Sequence, residues 1–98
     1  MGYRFDQWEI PDRMMDGLNR YVADHIEPGG FLRAVLENDF VEAAGRADAE
    51  NLSNLQAYAA WLYNVAPSGC WGSRDAVQDW LHERELAEQA SEAEGRTA

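Results

Sequence analysis

The chain has no lysine: all eight of its cations are arginines, set against 18 Asp and Glu, for a net charge of −10 over 98 residues. Without lysine there is neither Schiff-base chemistry nor a Walker-type phosphate loop, each of which needs that amine. The shortage of positive charge argues against direct binding of DNA or RNA, whose non-specific affinity comes from clustered Lys and Arg. It also argues against docking on an anionic membrane. Cysteine is nearly absent: Cys70 stands alone and cannot form an internal disulfide, so the chain is not a disulfide-stapled secreted scaffold. Long apolar runs are missing too. The longest charge-free stretch, Asn51 to Ser73, is interrupted by Asn, Gln, Ser and Gly and is no membrane span. The opening MGYRFDQW lacks the basic-plus-apolar pattern of a secretory signal. A reducing cytoplasm is the expected compartment, and no cofactor is implied.

Apolar residues make up 46% of the chain, and aromatics 11%. That is enough for one compact core, and this length leaves room for one domain. Four tryptophans (Trp8, Trp61, Trp71, Trp80) can each bury about 150–250 Å² and so supply much of it.

Residues 1–9 read as an ordered, extended N-terminal arm: Tyr3 and Phe5 alternate with polar residues, Trp8 falls out of step, and no partner strand is evident. A helical domain is expected over residues 10–84. Pro11 and Asp12 open a first helix, whose apolar residues Met14, Leu18, Tyr21/Val22 and His25/Ile26 recur every three or four positions. Gly17 suits a close approach in its interior, and the stop is expected at Glu27-Pro28-Gly29-Gly30. A second helix carries Phe31, Leu32, Val35 and Leu36. Asn38-Asp39 then offers a C-cap followed by an N-cap for a short third segment reaching about Ala47. Asp48 caps a long fourth helix, Ala49 to about Val65, with Leu52, Leu55, Tyr58/Ala59, Leu62 and Val65 on one face. Ser73 caps a last helix with Val77, Trp80 and Leu81 inward. From residue 85 to 98 the chain becomes an acidic tail, in which Glu85, Glu88, Glu92 and Glu94 against Arg96 leave a net of −3, and −7 on residues 1–84. The expected fold is all-α: a bundle of four or five short helices with an N-terminal arm and an acidic C-terminal tail.

Several words in this sequence carry a resemblance. Ile10-Pro11-Asp12-Arg13-Met14-Met15-Asp16-Gly17-Leu18, Pro28-Gly29-Gly30-Phe31-Leu32, Arg46-Ala47-Asp48, and Trp61-Leu62-Tyr63-Asn64 with Ala66-Pro67-Ser68-Gly69-Cys70-Trp71-Gly72-Ser73 resemble a group of small proteins encoded mainly by tailed bacteriophages and prophages. The likeness spans roughly residues 10 to 81. It implies no activity. It implies a context, that of a small phage accessory protein working in a bacterial host, for which host machinery or host defence is the expected target.

The densest local feature is the loop entering the last helix. Gly69 and Gly72 permit positive φ, Trp71 offers a flat face, and Ser73 and Arg74 stand at a helix start. Together with Gly29 and Gly30 at the second helix, Ser68, Gly69, Trp71, Gly72, Ser73 and Arg74 form a candidate site for an anionic, nucleotide-like ligand if the two helix starts meet. The simpler reading makes the loop a tight connection with Trp71 as a core plug.

Cys70 as a nucleophile needs a nearby base, and nothing in the spacing brings His25 or His82 to it. One Cys and two distant His form no zinc pattern. The carboxylate pairs Asp12/Asp16, Glu37/Asp39 and Asp75/Asp79 read as solvated helix surface, not as an acid–base couple. A last helix with Asp75, Asp79 and Glu83 among Arg74, Gln78 and Arg84 is a poor DNA-reading helix. Acidity spread along the chain serves solubility first, with DNA mimicry a lesser alternative. The leading expectation is a non-catalytic protein that binds a host protein; sequestering a small ligand is the second. Surplus apolar surface at Tyr3, Phe5, Trp8 or Tyr63 would allow a homodimer.

Overall fold

A computed structural model describes residues 2–83 and Leu86. It is mostly helical, with six helical stretches among the described residues: α1 (Asp12–Asp24), α2 (Gly30–Leu36), α3 (Phe40–Arg46), α4 (Ala49–Ser53), α5 (Leu55–Asn64) and α6 (74–83). The fold is not purely α, however. The N-terminal segment is a hairpin of β1 (Tyr3–Phe5) and β2 (Trp8–Ile10), paired antiparallel with Tyr3 opposite Ile10, Arg4 opposite Glu9 and Phe5 opposite Trp8. The partner strand that the sequence did not reveal is the other half of the same segment. A two-residue turn at Asp6-Gln7, with Asp6 at φ 55°, returns the chain so that Tyr3, Phe5, Trp8 and Ile10 share one face. This turn also puts Trp8 out of step with Tyr3 and Phe5. The hairpin lies against α5, with Ile10 fully buried and Phe5 stacked on Trp8 at 6.3 Å.

Helix α1 ends earlier than Pro28. His25 takes the left-handed conformation (φ 56°), its N–H reaching the Tyr21 carbonyl while the Ile26 N–H reaches that of Arg20. This is an αL-type ending built on a non-glycine residue. Gly17 does serve close packing, since a Cβ there would stand 3.0 Å from Leu32 Cδ1. Helix α2 is buried along Phe31, Leu32, Ala34, Val35 and Leu36. Asn38 (φ 61°) and Asp39 act as the expected pair of caps, Asp39 Oδ1 accepting from the Glu42 N–H.

The expected helix from Ala49 to Val65 is broken at Asn54 (φ −118°, ψ 21°). Its side chain explains the break: Oδ1 accepts the Glu9 N–H of the hairpin at 2.8 Å, while Nδ2 donates to the Glu50 carbonyl at 2.8 Å. The break redirects the apolar face. Tyr58, Trp61 and Leu62 point inward, whereas Leu52 and Val65, expected inside, are exposed.

Helix α6 starts on Ser73, whose Oγ accepts the Ala76 N–H at 3.1 Å. It is held to α1 by polar handles on aromatic side chains. Trp80 Nε1 donates to the Tyr21 carbonyl at 2.9 Å, and the Tyr21 hydroxyl donates to the Cys70 carbonyl at 2.7 Å. His25 Nδ1 lies 2.8 Å from the Trp80 carbonyl; a carbonyl only accepts, so that nitrogen carries the proton. No helix among the described residues is long and apolar enough to cross a membrane. The acidic tail expected over 85–98 lies outside the described residues apart from Leu86, which is helical.

Candidate functional site

Helix α3 packs on α2 through Ala43, its one buried residue. Val41, two residues before Ala43, lies on the opposite face of the helix, and Phe40, three before it, lies to one side of the buried face. Phe40 is 72% exposed and Val41 78%. Isolated apolar residues on a surface are unremarkable, but Phe40 stands beside a groove. It has a volume of about 400 Å³ and lies between α3 on one side and α4 and α5 on the other. Ala34, Val35 and Ala43 form its floor; Phe40, Leu52 and Leu62 form its walls. Helix α5 contributes Leu55, Ala59 and Leu62 at i, i+4 and i+7, one face of a helix. Tyr58 closes the inner end, with its ring edge-on to Phe31 at 5.1 Å and its hydroxyl donating to Asn51 Oδ1 at 2.6 Å. Burial pushes the Tyr58 phenol well above its ordinary range, so it stays a neutral donor. Asp39 is the one charged side chain lining the groove among the described residues.

A second depression adjoins the first, sharing Ala34 and Asp39 with it. This one is polar, with a volume of about 500 Å³, and carries Arg33, Arg46 and Arg74 against Glu37, Asp39 and Glu42. The arginines are largely engaged. Arg33 pairs with Glu27 and, through Nε, with Glu37 at 3.0 Å; burial opposes its charge but these carboxylates raise its pKa nonetheless. Arg46 Nε bonds Glu42 on the next turn, and Arg74, 77% exposed, stands 3.9 Å from Glu37.

The two helix starts singled out in the sequence do approach each other, but few of their residues meet. Gly30 and Arg74 line the polar depression; Gly29, Ser68, Gly69, Trp71, Gly72 and Ser73 do not. Gly30 lies under Arg46, whose Nη1 would be 2.9 Å from a Cβ at that position. In the loop, the Gly72 N–H is spent on the Leu36 carbonyl at 2.8 Å. Gly69 (φ 93°) and Gly72 (φ 119°) serve backbone turns, with open space where their side chains would be. Ser68 and Gly69 are exposed, and Trp71 packs half-buried against the core. Cys70 is fully buried, and burial pushes its thiol pKa up, the reverse of what a thiolate nucleophile needs. Among the described residues no group of three His, Cys, Asp or Glu is placed to hold a metal ion.

The groove was missed in the sequence because Phe40 and Val41 were read simply as parts of a third apolar segment. The local signal is weak: two small residues, Ala43 and Ala44, follow Phe40 and Val41 at helical spacing, and either could face the core. Comparison of the chain with family models, curated proteins and solved structures found no match to any of them.

Proposed function

We propose that this chain is a non-catalytic binding protein of phage type, and that it docks a segment of a host protein in the groove between α3 and α5. One observation carries the reading: a large apolar side chain, Phe40, is more than two-thirds exposed at the mouth of an apolar groove of about 400 Å³ that the half-exposed Leu52 also lines. Leaving such side chains in water forfeits roughly 1.5–3 kcal/mol each relative to burial, and contiguous exposed apolar surface beside a groove is the usual mark of an interaction site. The neutral thiol of Cys70 and the evenly balanced charges of the polar depression give catalysis or phosphate capture less to work with. A bacterial host cytoplasm is the setting that follows from the phage-type reading.

The test is a selection of random peptides displayed against the immobilised full chain, with enriched peptides re-measured against Phe40→Asp. Sequences that bind the wild-type chain and weaken by about tenfold or more on the variant support the groove as the docking site. An empty selection, or binding indifferent to Phe40→Asp, overturns it.

A further inference from the structure

The groove has a shape and a charge that narrow its occupant. Its walls come from α3, α4 and α5, and its floor from residues without long side chains: Ala34, Val35 and Ala43 below, with Ala59 on the α5 side. Small residues beneath taller flanking ones admit the backbone of a third helix, whose own apolar residues then interleave with Phe40, Leu52 and Leu62. An extended peptide would find no free strand edge here to pair with, because both walls are helical.

Charge settles the rest. Residues 2–83 hold fourteen carboxylates against six arginines, since Glu85, Glu88, Glu92, Glu94, Arg84 and Arg96 lie beyond, and so carry a net of −8. Among the described residues no arginine lines the groove, while Asp39 is shared between it and the polar depression. The arginines of that depression already face other carboxylates: Arg33 and Arg46 are paired, and Arg74 stands 3.9 Å from Glu37. An acidic partner would meet a like charge at Asp39 and a repelling field on approach. A basic partner would be steered by that field and find a carboxylate at the site.

Building on the docking reading, we infer that the groove takes a cationic amphipathic helix, its apolar stripe lying between α3 and α5 and a Lys or Arg meeting Asp39. A second copy of this acidic chain is a poorer fit, since the two bodies repel.

Three fluorescein-labelled peptides of about 18 residues test this. They share one Leu stripe at i, i+3, i+4 and i+7 and differ only in carrying Lys, Gln or Glu on the polar face. Anisotropy titrations use the wild-type chain, Asp39→Asn and Phe40→Asp. Asparagine keeps the cap that Asp39 provides to the Glu42 N–H while removing the charge. The Lys peptide is expected to bind about tenfold tighter than the Glu peptide at low salt, and that gap should shrink as ionic strength rises. Asp39→Asn should weaken the Lys peptide alone, by about threefold, and Phe40→Asp should abolish binding of all three.

If the three peptides bind alike, or Asp39→Asn changes nothing while Phe40→Asp still abolishes binding, the charge inference is overturned and the docking reading stands. If none binds, or none responds to Phe40→Asp, docking at this groove is itself overturned. Sedimentation equilibrium completes the set: a wild-type dimer that Phe40→Asp splits would make the occupant a second copy, and would overturn the inference.

Discussion

Where α1 meets α6, large aromatic side chains are fixed by polar handles: Tyr21 to the Cys70 carbonyl, Trp80 to the Tyr21 carbonyl, with His25 returning a bond to Trp80. Where α3 faces α4 and α5, the large exposed apolar side chains are Phe40 and Leu52, which have no polar handle and stand in solvent. The first region has a directional partner for each group, and this selects one arrangement of its helices. The second region is only shaped; Asp39 is its one charged side chain among the described residues, and it specifies nothing until something fills it. A small chain thus spends its hydrogen-bonding aromatics on holding itself together and keeps plain hydrocarbon for the surface a partner would cover.

Removing a member of each region should therefore have unequal effects. Tyr21 is fully buried, and Tyr21→Ala is expected to cost about 3–5 kcal/mol, enough to unfold much of a marginal small domain. Tyr21→Phe separates the handle from the ring. It keeps the volume but leaves the Cys70 carbonyl without its donor, for about 1–3 kcal/mol. Urea denaturation followed by tryptophan fluorescence reads both. A Tyr21→Phe variant as stable as the wild-type chain would mean that the handle orients the ring without stabilising it.

The contrast extends to Phe40→Asp, which should leave stability within about 0.5 kcal/mol of the wild-type chain, as for other exposed sites. Loss of half or more of the stability would show that Phe40 belongs to the core side of the comparison, and that the groove is a packing feature of the fold.

What was legible in the sequence was what is local. The caps at Asp39, Asp48 and Ser73 each bond an N–H three residues on, so neighbours in sequence carry the whole signal. The break at Asn54 was not legible, because its cause is the Glu9 N–H, 45 residues away. The hairpin was hidden by its own turn, which shifts the aromatic spacing from two to three. At the candidate site, Gly30 and Arg74 line one depression, and Glu42 and Arg46 of α3 with its cap Asp39 make that depression charge-balanced, which the separate sequence words could not show. The groove needed the direction of Ala43, which tertiary packing alone decides.

The smallest effect tests the seam between the two regions. Arg13 of α1 bonds Asp48 at 3.0 Å and Glu50 at 2.7 Å, and so ties the helix of the fixed side to the cap of α4, which carries Leu52 toward the groove. The Asn51 backbone N–H, with Arg13 adding to it, holds the Asp48 carboxyl below the ordinary aspartate range. A carboxyl more acidic in the folded chain than in the unfolded one stabilises the fold once pH is above the unfolded value, near 3.9. That contribution fades as pH falls through the lower folded value. Asp48→Asn keeps a cap acceptor and removes the titration, so the stability gap between the two chains should be constant above about pH 5 and close below about pH 4. Both groups are exposed, and the gap should be small and shrink further in salt. A gap that stayed constant into the acid range would mean that the charge on Asp48 does nothing, leaving the cap's geometry alone to join the fixed region to the open one.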